Sequence, residues 1–188
     1  MVLLNNPSSL SWFAFHPPLQ SLAMALFTYG ILTLQPTSQP KSKAAGLTRH
    51  QLYMLVTGLP VISVGTWAIY HTKNLNSRPH LVSWHGLFGA ISYLWMIGQI
   101  AIGAGSVWFG GAAFGGGMKA KSLWKYHRLS GYALYPLFLF TAHLGGAWSA
   151  FSTGNSNYIV RLLAYTIAPS IALVAIYSRM RTSKMRFF

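Results

Sequence analysis

Five apolar stretches, at residues 12–34, 50–71, 81–104, 124–150 and 158–178, alternate with polar or glycine-rich segments along the chain. Each is poor in charge and has about the 20 residues that cross a bilayer as helix. The intervening pieces 35–49, 72–80, 105–123 and 151–157 are rich in the Pro, Gly, Asn and Ser of turns. Pro60, Pro136 and Pro169 lie inside stretches and predict kinks, because neighbouring helices or water satisfy the carbonyls they free. No internal sequence repeat is evident. The pattern predicts an all-α membrane protein of five transmembrane helices in one domain, 12–178, with an outer tail at 1–11 and a basic cytoplasmic tail at 179–188. No basic region precedes the first stretch, so it is not expected to be a cleavable signal peptide.

Five spans place the termini on opposite sides. One side carries Lys41, Lys43, Arg49, Lys119, Lys121, Lys125, Arg128, Arg179, Arg181, Lys184 and Arg186; the other carries only Lys73, Arg78 and Arg161. Lys and Arg accumulate on the cytoplasmic side, so the N-terminus is expected outside or in a lumen and the C-terminus in the cytoplasm.

Composition removes most other chemistry. The chain has 14 Lys+Arg, no Asp or Glu, 7 His and no Cys. Carboxylate-based hydrolysis, Asp-oriented triads and two-metal sites are excluded. Thiolate nucleophiles, cysteine zinc sites, Fe–S clusters and covalently attached haem are excluded as well. Charged residues make up only 7% of the chain, which argues against the solvated basic surface of a nucleic-acid binder. Redox or hydrolytic function must rest on a bound cofactor or a His-held metal.

Four histidines fall into a pattern. His16 and His85 open the first and third stretches on the outer side, and His50 and His127 open the second and fourth on the inner side. Alternation brings His16 to the level of His85, and His50 to that of His127. Two imidazoles on different helices at one depth are what a six-coordinate b-type haem needs. Gly89 and Gly131 follow His85 and His127 by four residues, one turn along the same face. There a missing side chain leaves room for a porphyrin edge or for close helix packing.

The segments FHPPLQS around His16, RHQLYM around His50, SWHGLFGA around His85 and KYHRLSGY around His127 resemble the haem-ligand segments of the cytochrome b561 family, transmembrane ascorbate-dependent reductases. The resemblance spans 12–178 and is closest to the small single-domain members. It implies a four-helix core with two b-type haems, His16 and His85 ligating the outer iron and His50 and His127 the inner one. It further implies electron transport from cytoplasmic ascorbate to monodehydroascorbate or a ferric chelate on the far side, with lipid as surroundings and a homodimer as a common state. Family members usually have six helices, and the one expected before His16 is lacking. The alternative is a dihaem membrane subunit that exchanges electrons with a partner protein in a larger complex.

An anionic donor calls for a basic site beside the inner haem. Lys43, Lys119, Lys121 and Lys125 are the candidates, while Arg49 and Arg128 adjoin the ligands and are placed to hold haem propionates. The same cations also suit anionic lipid headgroups. The glycine-rich run 103–117 lacks the ending of a phosphate-binding loop and is expected to be an interfacial linker. His71, His80 and His143 fall on the outer side and are candidates for contact with the acceptor.

Overall fold

The computed structural model describes residues 11–34 and 39–185, the side chain of Lys184 excepted. Most of the expected outer tail, and Arg186, lie outside the described residues. A 3-10 turn at Trp12–Phe15 leads into α1 (His16–Leu34). Then come α2 (Pro40–Leu75), α3 (Trp84–Val107), the short α4 (Gly117–Ser122), α5 (Trp124–Trp148), the short α6 (Ala150–Asn155) and α7 (Tyr158–Tyr177). The described residues contain no strand.

The second apolar stretch is embedded in a longer helix than its hydropathy predicts. Pro40 occupies the first turn, where its missing N–H costs nothing, and the helix runs on past Pro60 to Leu75. Residues 40–49, expected as loop, are therefore helical, and His50 lies well inside α2. Two of the three prolines lie just after a widened turn. Pro60 follows a π-helical segment at Leu52–Gly58, and Pro169 follows another at Leu163–Ile167. A proline cannot donate to the carbonyl four residues back and crowds it; widening the preceding turn removes that conflict. Thr57 then donates its hydroxyl to the Leu52 carbonyl at 3.2 Å.

Between α3 and α5 the glycine-rich run turns sharply. Phe109, Gly110 and Gly111 have φ of 53°, 67° and 79°, in the left-handed region. At Gly111 a Cβ would lie 2.3 Å from that of Ala120, so only glycine lets α4 pack back on this turn. Phe109 is 94% exposed.

Antiparallel neighbours α1 and α2 pack together, as do α3 and α5, and α7 lies against α5 and α1. Ala23 and Phe27 of α1, Ile62 of α2, Met96 of α3 and Leu134 and Phe138 of α5 form one buried cluster. Outward faces carry Val56, Leu94, Ile171 and Val174, all more than half exposed. Helices α2, α3 with its following turn, and α7 are long and apolar enough to cross a membrane. The chain is an integral membrane protein.

Candidate metal centres

The four helices bring the four histidines together in two pairs. The His16 and His85 rings face each other with centroids 5.9 Å apart and planes at 77°. The His50 and His127 rings do so at 6.4 Å and 84°. Metal–nitrogen bonds of about 2 Å on each side, plus the distance from Nε2 to each ring centre, put the centroids of a bis-imidazole site about 6 Å apart.

The other ring nitrogen decides whether such a site works. His16 Nδ1 lies 2.9 Å from the Gly65 carbonyl, His50 Nδ1 3.3 Å from that of Gly30, and His85 Nδ1 2.9 Å from that of Thr141. A carbonyl only accepts, so each Nδ1 carries the proton and each Nε2 keeps its lone pair for a metal. The His127 ring bonds to the main-chain carbonyl of Gln99. Each ring is thus oriented by the helix antiparallel to its own.

These contacts follow one frame. The carbonyl donated by α1 (Gly30), α3 (Gln99) or α5 (Thr141) lies fourteen residues after that helix's own histidine. In α2 the interval from His50 to Gly65 is fifteen, and the π-segment between them accommodates the additional residue. Fourteen residues rise about 21 Å, which separates the two levels. A two-fold repeat therefore exists in structure although the letters conceal it.

Two glycines that sequence reasoning missed seat the rings. A Cβ on Gly145 would lie 2.6 Å from His85 Cε1, and one on Gly103 2.8 Å from His127 Cε1. Both follow the histidine of their own helix by eighteen residues, and that equal spacing is the signal in the sequence. At the expected positions the space is more open. A Cβ on Gly89 meets only Thr141, at 3.6 Å, and one on Gly131 only Gln99, at 4.0 Å.

Beside His50 and His127 lies a cavity of about 610 Å³, walled by Phe27, Met96 and Phe138. Lys43 and Arg128 line it, joined by Arg179 and Arg181 of the basic tail after α7. Lys119, Lys121, Lys125 and Arg49 are not among its lining residues. Arg49 Nε and Arg161 Nε are buried with no hydrogen-bond partner among the described residues.

On the other side the three remaining histidines do not converge. His71 stacks on Trp67 at 4.9 Å. His80 Nε2 is 2.8 Å from Asn74 Oδ1. His143 Nδ1 contacts the Tyr165 carbonyl at 3.0 Å, and its Nε2 accepts from Trp148 Nε1 at 2.8 Å, so both its ring nitrogens are engaged. Phe13 stacks on His16 and meets Phe151 edge-on at 4.6 Å.

The donor set fits a haem iron. The candidate ligands come in facing pairs rather than triads, with no cluster of three among the described residues, and the cavity and unpartnered guanidinium nitrogens suit an apolar macrocycle with carboxylate arms. This is the architecture of a b-type membrane cytochrome. Residues 15–152 match the family model for eukaryotic cytochrome b561, and the chain belongs to that family. Membership makes it a haem-binding oxidoreductase of transmembrane electron transfer. No curated protein and no solved structure matched the chain.

Proposed function

We propose that this protein carries electrons from cytoplasmic ascorbate to monodehydroascorbate or a ferric chelate on the opposite side, through two b-type haems in a five-span bundle. His16 and His85 hold the outer iron, and His50 and His127 the inner one. The observation that carries this reading is the pair of facing imidazole sites at two levels of one bundle. When bound, each haem supplies a one-electron Fe³⁺/Fe²⁺ couple.

The chain's own residues do the rest. Carbonyls of Gly65, Gly30 and Thr141 fix the tautomers of His16, His50 and His85, while the main-chain carbonyl and side-chain amide of Gln99 together set that of His127. The buried cluster around Phe27 and Phe138 keeps water out between the levels. Arg49 and Arg128 on the inner side, and Arg161 on the outer side, neutralise propionates. Lys43, Arg179 and Arg181 attract the anionic donor to the inner cavity, while Lys119, Lys121 and Lys125 meet lipid headgroups. His71 and His80 remain the candidates for acceptor contact. His143 ties α5 to α7 instead, since it has no free ring nitrogen for a chelate.

Stopped-flow reduction of the purified protein tests this. Millimolar ascorbate is expected to reduce both haems. His50→Ala is expected to abolish fast reduction while leaving the outer haem in place. Haems that ascorbate leaves oxidised would refute the donor assignment.

A further inference from the structure

Among the described residues, three of the four rings have a main-chain carbonyl at Nδ1, but His127 has a side chain there too. One end of the Gln99 amide lies 2.7 Å from His127 Nδ1 and 3.0 Å from the His127 carbonyl. The other end lies 3.3 Å from Gly131 N and against Ser130 Oγ. Gln99 is only 7% exposed, so these groups are its surroundings. Ser130 Oγ also accepts from Trp95 Nε1 at 2.7 Å, which extends the network to a second α3 side chain. In the repeated frame the equivalent of Gln99 is Thr141, whose hydroxyl is committed to the Leu137 carbonyl at 2.8 Å. Among the described residues the outer site therefore has no counterpart to this amide.

We propose that Gln99 is a positioning residue that sets the two metal centres apart, tuning the inner one through His127. This rests on the haem reading above. The amide has two orientations, and each imposes a different state on the ring. With its nitrogen toward His127, Nδ1 accepts and the ring proton sits on Nε2, which then has no lone pair for iron. With its oxygen toward His127, Nδ1–H donates, Nε2 is free to ligate and the amide nitrogen donates to Ser130 Oγ, against an amide oxygen 3.0 Å from the His127 carbonyl and an amide nitrogen 3.3 Å from Gly131 N. Iron at Nε2 selects the second orientation. The amide oxygen then adds a second acceptor at Nδ1–H, raises the electron density of the ring and stabilises the ferric state. The inner site becomes the lower-potential one, downhill for electrons moving outward.

Redox titration of the haem-loaded protein, with the two centres resolved by their EPR signals, tests the proposal with Gln99→Leu and Gln99→Glu. Leu removes the acceptor and is expected to make the inner haem about tenfold easier to reduce, about 59 mV upward for one electron. Glu keeps the size, accepts only, and is expected to shift the same centre downward. The outer potential stays fixed in both. Opposite shifts at one centre are not what a merely structural role produces. Equal shifts at both centres, shifts of the same sign, or no shift with both haems retained would overturn the role of Gln99 and leave the haem reading intact. A wild-type chain that binds no haem at His127 would overturn both.

Discussion

His85 seats its imidazole directly on Gly145 of the neighbouring helix, where a single added carbon would lie 2.6 Å from the ring. His127 and Gly103 repeat the arrangement at 2.8 Å at the other level. Real Cβ atoms do not approach so closely, so Ala at either position must displace the ring. Gly145→Ala is expected to cost the outer haem at least tenfold in affinity and leave the inner one bound; Gly103→Ala should do the reverse. Haem content per chain, with each variant's remaining EPR signal assigned, checks this. Equal loss of both haems would instead indicate a folding defect.

The glycines one turn from the ligands behave differently. Among the described residues, the nearest atom from outside the helix's own backbone would lie 3.6 Å from a Cβ on Gly89 and 4.0 Å from one on Gly131. Ala at either site should therefore retain haem, whereas Leu, which projects into the space beyond, should exclude it. Absorbance titration with hemin separates the two outcomes at each position.

Arg179 and Arg181 share the cavity with Lys43 and Arg128. Neutralising both, as Arg179→Gln with Arg181→Gln, is expected to raise KM for ascorbate several-fold with little change in kcat. Such a split marks binding made equally in ground and transition states. The wild-type KM should also rise with salt, and the double variant should respond less, because exposed charges are screened. An unchanged KM would return these arginines to the lipid surface.

Phe27 is 1% exposed, and its ring lies 5.8 Å from that of Phe138. The ring also fills the place that a side chain at Gly58 would need, since a Cβ there would come within 2.5 Å of it. Phe27→Ala should destabilise the bundle by about 3–5 kcal/mol. Reversible unfolding in mixed micelles measures the loss, and a change below about 1 kcal/mol would show that the bundle closes around the gap.

The all-helical, membrane-spanning character and the facing of His16 with His85 and of His50 with His127 were legible in sequence, because apolar length and polar interruption carry both. The helical extension back to Pro40 was not, since residues 40–49 are polar and hydropathy reports burial in lipid rather than helix formation. The seats at Gly103 and Gly145 were hidden for a different reason. Each serves a ring on another helix, so its meaning appears only when α3 and α5 are laid antiparallel. The four carbonyls that orient the histidine rings are main-chain groups, and no residue type announces them. The fifteen-residue interval in α2 further masks the repeat, since its π-segment shifts the frame by one.

Haem stoichiometry tests the central claim most directly. Pyridine haemochrome assay against protein mass is expected to give two b-type haems per chain, and one in His16→Ala, His85→Ala, His50→Ala or His127→Ala. The first two variants should share one residual EPR signal and the last two the other. A wild-type chain without haem, or variants whose residual signals sort His16 with His50, would contradict the account.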